Sequence, residues 1–119
     1  MAGFPRSRRL TTRRDFSRVF RDAGRSRDRL FTVLARRNCG AGARLGVAVS
    51  RKTDKRAVAR NRIKRHIRES FRHASLPSID IVVISQPAAG KASARSVRES
   101  LTRHWARLTS LSAEATDRP

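Results

Sequence analysis

The chain has 119 residues, with 29 Lys and Arg against 9 Asp and Glu, a formal net charge of +20 at pH 7. That length holds one ordinary domain and excludes two. The charge excludes a body at ease without a polyanion around it, because so many like charges repel one another; nucleic acid is the commonest such partner and anionic membrane a distant second.

Residues 1–9 (MAGFPRSRR) read as a flexible basic arm, and no apolar run follows them, so they are not a secretory signal. From Thr12 to about Ala23, Phe16, Val19 and Phe20 fall at i, i+3 and i+4, which marks a short amphipathic helix. Thr12 is placed to cap its start and Gly24 to end it. Residues 30–36 (LFTVLAR) suit a strand, Asn38-Cys39-Gly40-Ala41-Gly42 is a turn signal, and residues 45–50 (LGVAVS) alternate between two faces. Together they read as a β-hairpin.

Residues 56–74 carry the longest helical signal, with Thr53 or Asp54 placed to cap it. Ile63, Ile67 and Phe71 recur at four-residue spacing, a stripe expected to face a sheet. Asn61, Lys64, Arg65, Arg68 and Arg72 share the neighbouring arc, with Arg60 at its edge. Residues 79–85 (IDIVVIS) are almost continuously apolar, which suits a strand buried on both faces in a parallel pairing. Pro87 to Gly90 is a loop, a final helix from about Ser93 to Leu108 places Val97, Leu101, Trp105 and Leu108 on one stripe, and residues 110–119 read as a frayed tail. The order is α-β-β-α-β-α, a single α+β domain over residues 10–109, a two-layer sandwich with room for one extra short strand.

The chemistry concentrates between Arg51 and Arg72, where ten of 22 residues are Lys or Arg and only Asp54 and Glu69 are acidic. On a helix with an apolar opposite side, those charges are held at fixed spacing, which lowers the entropy lost on binding a structured RNA backbone. A face serving solubility alone would mix signs. Arginine supplies most of the charge, and its planar fork binds phosphate oxygens in pairs and stacks on bases.

Signals for protein-borne catalysis are thin. His66 and Glu69 lie three apart and His66 and His73 seven apart, but arginines surround them, and positive neighbours disfavour a bound cation and lower a histidine's pKa. His104 beside Trp105 reads as a helix-surface residue. Cys39 stands alone, so no internal disulfide or cysteine-based metal site forms, and a reducing cytoplasm fits. The glycines at 40 and 42 lack a phosphate-loop context. No run of about eighteen apolar residues occurs, so no helical membrane span is expected.

Arg60-Asn61-Arg62-Ile63-Lys64-Arg65, followed by Ile67, Arg68, Glu69 and Phe71, resembles the RNR signature of the bacterial ribonuclease P protein subunit family. The match extends through residues 45–52 (LGVAVSRK), Ala57-Val58, Asp15-Phe16, Val19-Phe20, Arg29 and Phe31, covering about residues 8 to 108. The resemblance implies a two-layer sandwich of a kind also found in ribosomal proteins, whose crossover from the 45–50 strand to the 79–85 strand is left-handed, against the usual rule. It implies a protein half of an enzyme whose RNA subunit hydrolyses precursor tRNA with Mg²⁺, removing the 5′ leader. Carried over by position, Phe16 and Phe20 line a leader cleft against the open face of the sheet, with Ser50 and Lys52 near it. Arg60, Asn61, Arg62, Lys64, Arg65 and Arg68 face the catalytic RNA or the cleft edge.

The partners so implied are the ribonuclease P RNA and precursor tRNA, with no membrane and no small-molecule substrate. A leader of varying sequence is best held by stacking and charge; Phe16 and Phe20 equally suit a core. Family members commonly place a further aromatic where this chain has Leu34, and Phe31 compensates only if its side chain faces the same way. A ribosomal protein and a DNA-packaging protein share the small size and basicity, and the contiguous residues 60–68 argue against both.

Overall fold

The computed structural model describes Arg9, residues 24–38 and residues 42–116, as backbone only beyond Thr109. Short apolar runs in the middle of the chain form four strands: β1 (Gly24–Arg27), β2 (Phe31–Arg37), β3 (Arg44–Ala48) and β4 (Ile79–Ser85). Between β3 and β4 runs α1 (Ala57–His73), and α2 (Ala94–Thr116) follows β4 after a 3-10 turn at Pro87–Gly90. The strands join in the order β1-β2-β4-β3, with β4 antiparallel to β2 and parallel to β3.

Register decides which side chains meet the helices. Phe31 and Val33 of β2, Ile79, Ile81 and Val83 of β4, and Leu45 of β3 share one face. They pack with Ile63, Ile67 and Phe71 of α1 and with Val97, Leu101, Trp105 and Leu108 of α2. α1 lies beside β3, and α2 beside β1 and β2. Burying each such large side chain contributes roughly 1.5–3 kcal/mol, so this layer holds the fold together. Trp105 Nε1 donates to Ser70 Oγ at 2.7 Å, and the Trp105 and Phe71 rings meet edge to face with centroids 6.1 Å apart.

The parallel partner expected for residues 79–85 is β3. The expected hairpin does not form, because β4 lies between β2 and β3. Its apolar side chains point to both faces, and an interior position covers more of that surface than an edge would. The extra strand is β1, a Gly-Arg-Ser-Arg segment in which only Ser26 is buried; Gly24 opens this strand. The expected helix over residues 12–23, with Phe16 and Phe20, lies outside the described residues, as do residues 1–8 of the arm. Arg9, counted with that arm, forms a parallel bridge with Leu45 on the outer side of β3.

Two helix ends also differ from expectation. Neither Thr53 nor Asp54 caps α1; Arg56 is the N-cap residue, without a side-chain bond. Asp54 Oδ1 instead accepts the Arg56 N–H at 2.9 Å, closing a turn just before the helix. α2 runs on to Thr116, into the expected tail, since residues 109–116 contain no Gly or Pro to stop it.

Candidate nucleic-acid interface

The buried stripe Ile63, Ile67, Phe71 divides the polar surface of α1 into two flanks. Arg60, Asn61, Lys64, Arg68 and Arg72 lie on the flank beside β3. Arg68 is half-buried there, and burial, then the charge of Arg9, pushes its pKa down. Ala59, Arg62, His66 and Ser70 lie on the flank facing α2, as the Ser70–Trp105 bond requires. Arg65 is exposed on the crest between them. The sequence-predicted RNA-facing residues are thus brought onto one rod but not onto one surface.

The turn before α1 is rigid. Arg60 Nη1 donates to the carbonyls of Asp54 and Lys55 at 3.0 and 2.8 Å, tying the helix to the turn. The Thr53 N–H donates to the Ser50 carbonyl at 3.1 Å, and the Lys52 N–H to Ser50 Oγ at 3.3 Å. Thr53 Oγ1 lies 2.7 Å from Ser85 Oγ, which anchors the turn to β4. Ser50 and Lys52 are both exposed, two and four residues past the end of β3.

The sheet face turned away from α1 and α2 has its own order. Arg25, Leu34, Val82 and Gly46 form one row across the strands, and Arg27, Thr32, Ile84 and Ala48 the next. Arg36, Asp80 and Arg44 form a third. Arg44 grips Asp80 with two bonds of 2.7 Å, and Asn38 Nδ2 adds a third at 2.8 Å, so this buried carboxylate is neutralised in place. Leu34 and Val82 are buried on this face. What remains accessible on this face is the half-buried row Thr32, Ile84 and Ala48, with the exposed Arg25 and Arg27 at its edge, a place for an anionic strand to lie.

Phe31, expected to take part in leader binding if its side chain faced the side of Leu34, does not. It is 0% exposed and packs in the core on the helix-facing side, opposite to Leu34. It therefore cannot replace the aromatic that the family commonly places at the Leu34 position. Phe16 and Phe20 lie outside the described residues.

The histidine pairs offer no acid–base machinery. Glu69 accepts from Arg72 Nη2 at 2.9 and 3.0 Å and lies 3.6 Å from His73 Nε2. His66 has its pKa lowered by burial first, then by Arg98, Arg62 and Arg65, an environment that repels cations. Among the described residues, no group of three or more His, Cys, Asp or Glu stands together.

Sequence reasoning missed one cluster. His104, expected on the helix surface, is completely buried. Its Nδ1 lies 2.7 Å from Ser26 Oγ, and its Nε2 lies 3.2 Å from Asp28 Oδ2 without the alignment of a full hydrogen bond. Asp28 also accepts from Ser100 Oγ at 2.5 Å and from the Leu30 and Phe31 N–H groups at 2.8 and 2.9 Å. Ser, His and Asp in this sequence of contacts have the composition of a nucleophilic triad, but Ser26 is only 4% exposed and His104 not at all, so no substrate reaches them. The cluster fastens α2 to β1. No signal in β1 pointed to it, because Ser26 sits between two arginines in an otherwise exposed strand.

Comparison with known proteins gives one answer. The Ribonuclease P family profile matches residues 4–109. The ribonuclease P protein component of Thioalkalivibrio sulfidiphilus is 48% identical over 109 residues, covering 90% of this chain and 91% of that protein. That of Methylococcus capsulatus is 50% identical over 109 residues, covering 90% and 85%. The solved structure of the Staphylococcus aureus RNase P protein superposes with a TM-score of 0.78 at 31% identity, covering 86% of this chain and 97% of that one. The RNase P protein from Thermotoga maritima gives 0.74 at 36% identity, covering 83% and 96%. A basic helix docked on a four-stranded sheet, the residues 60–71 that it carries, and these likenesses over nearly the whole chain place the protein in the ribonuclease P protein family.

Proposed function

We propose that this protein holds the 5′ leader of precursor tRNA on one surface and the catalytic RNA on another, while the RNA performs the hydrolysis with Mg²⁺. The chain is a subunit of ribonuclease P, a ribonucleoprotein endoribonuclease of tRNA 5′ maturation, and its partner is an RNA subunit. The observation that carries the finer reading is the separation of the two cationic surfaces. The β3-side flank of α1 offers Asn61, Lys64 and Arg68 at spacings fixed by the docked helix, which suits a folded RNA backbone. The far face of the sheet offers the half-buried row Thr32, Ile84 and Ala48 with Arg25 and Arg27 at its edge, which suits a single strand.

Ser50 follows the 46–48 alternation of β3, and Lys52 lies on the turn after it, so we assign both to the leader surface; Phe16 and Phe20 are assigned to it by the family resemblance alone. We assign Mg²⁺ to the RNA subunit, as the family resemblance implies. No helix among the described residues is long and apolar enough to cross a membrane. We assign the protein to the cytoplasm because its proposed substrate, precursor tRNA, is there. Reconstitution tests this: the ribonuclease P RNA and a precursor are mixed at low Mg²⁺ with and without the protein. The protein should lower the Mg²⁺ needed and the KM for precursor, and should cleave nothing alone. Equal cleavage with and without it would refute the reading.

A further inference from the structure

The flank of α1 that faces α2 carries Arg62 and His66, apart from the β3-side cations to which the function above assigns the folded RNA backbone. α1 and α2 run side by side in the same direction: Ile63 and His66 line one cleft with Val97 near one end, and Ser70 meets Trp105 further along. Toward their N-terminal ends the helices part, leaving a cleft of about 150 Å³. Ile63, Ala89 and Val97 form its apolar floor, and Arg56, Arg62 and His66 its walls. Arg98, one residue past Val97 and two helical turns before Trp105, is exposed on the α1 side of α2. Its charge reaches His66 together with those of Arg62 and Arg65. No carboxylate lines this cleft. The nearby acids are already engaged, Asp54 with Arg56 at 3.2 Å and Glu99 with Arg95 at 2.9 Å.

With Arg56 already paired to Asp54, Arg62 of α1 and Arg98 of α2 converge on an apolar trough that no carboxylate lines, and they repel one another unless an anion lies between. A sugar–phosphate strand fits both features, its riboses over the small apolar floor and its phosphates at the rim. We propose that this interhelical notch seats a second segment of the RNA subunit's phosphodiester backbone, making α2, through Arg98, part of the RNA interface. The inference rests on the reading that α1 meets the RNA subunit, and adds to it a contact beyond the β3-side flank and a residue outside the RNR signature.

The test is equilibrium binding of the full-length protein to the RNA subunit across salt concentrations, with Arg98→Ala, Arg98→Gln, Lys64→Ala and Arg95→Ala variants. Losing one phosphate contact should weaken binding roughly five- to twenty-fold and reduce the slope of log K against log salt by about one. Arg98→Ala and Arg98→Gln should both do this, whereas Arg95→Ala, on the outer side of α2 and paired with Glu99, should change affinity by less than about two-fold. A second readout is pH. A phosphate held between Arg62 and Arg98 favours the charged form of His66, so affinity should rise as pH falls from 8 to 6, and His66→Gln should flatten that rise.

Wild-type affinity and slope in both Arg98 variants would overturn the proposal, as would weakened binding with an unchanged slope. If Lys64→Ala weakens binding while the Arg98 variants do not, only the notch fails. If no variant matters and the protein leaves cleavage unchanged, the functional reading fails as well.

Discussion

The indole nitrogen of Trp105 reaches Ser70 Oγ across 2.7 Å, and this bond fixes how far α2 stands from the basic helix. Ser70 takes it on the flank of α1 that also carries Arg62 and His66. Trp105 is 6% exposed, so its N–H has no ready alternative in water. Ser70→Ala should therefore cost about 1–3 kcal/mol, the range for an orphaned buried donor, and Trp105→Ala about 3–5 kcal/mol. Urea unfolding monitored by circular dichroism checks both. A Ser70→Ala midpoint equal to that of the parent protein would mean the bond does not hold the helices in register.

The Asp28–His104 cluster should make stability depend on pH in two windows. Burial acts to raise the Asp28 pKa but is outweighed by the Ser100 hydroxyl, the Phe31 and Leu30 N–H groups and His104, leaving it at about 2 against an ordinary 3.8. The folded state thus favours the ionised carboxylate, and that contribution is complete above pH 3.8 and lost as pH falls toward 2. His104 is shifted down by burial, against the pull of Asp28 and with help from Arg107 and Arg103. The unfolded chain then takes up a proton below the ordinary 6.5 while the folded one resists, so stability also falls as pH drops below 6.5. His66, lowered for similar reasons, adds to the upper window. Unfolding midpoints measured from pH 8 to pH 2 should decline in both ranges, and His104→Gln should make the upper decline shallower. An unchanged upper slope in that variant would exclude His104 as its source.

Much of this architecture was legible, and the exceptions have physical causes. Residues 79–85 gave β4 with its bounds intact, because a seven-residue stretch with five Ile and Val has few other uses in so charged a chain. α1 was legible from the spacing of Ile63, Ile67 and Phe71, and its ends moved by only one residue. Strand adjacency was not legible, because chain proximity favours a β2–β3 hairpin while burial favours β4 in the interior of the sheet. The face of Phe31 was legible in principle. Residues three apart on a strand point oppositely, so Phe31 cannot share a side with Leu34. His104 lies three residues past Leu101 and four before Leu108, on the apolar stripe, and only its polarity argued for the surface. What overrides polarity is a hydroxyl 78 residues away in β1, a strand with no signal of its own.

Gly90 should tolerate no side chain. A Cβ there would overlap the Thr53 carbonyl oxygen, which belongs to backbone and not to a movable side chain. Thr53 is in turn tied to Ser85, so the turn before α1 and the 3-10 turn before α2 cannot simply part. Gly90→Ala should lower stability by about 1–3 kcal/mol. Displacing the 50–54 turn should also shift Ser50 and Lys52 and weaken precursor binding by the assembled enzyme. Thermal unfolding and precursor affinity check the two effects separately; an unshifted melting temperature would mean that the two turns are less tightly apposed than described.

The division between two RNA surfaces makes the sharpest prediction. Replacing Lys64 and Arg68 with Ala removes charge from the β3-side flank of α1, so assembly with the RNA subunit should weaken and its salt dependence flatten. Replacing Phe16 and Phe20 with Ala should leave assembly intact and weaken precursor binding, by about 1–3 kcal/mol for each base that loses its stacking partner. Phe31→Leu separates stacking from packing. Its ring is wholly inside the core, so this change should lower the unfolding midpoint and leave precursor affinity at saturating protein unchanged. Affinity for a precursor with a long leader, compared with one whose leader is a single nucleotide, provides the readout. The Phe16 and Phe20 replacements should affect only the long-leader substrate, while those of Lys64 and Arg68 should act equally on both. If the two pairs of variants gave the same profile, a single shared surface would have to serve both RNAs.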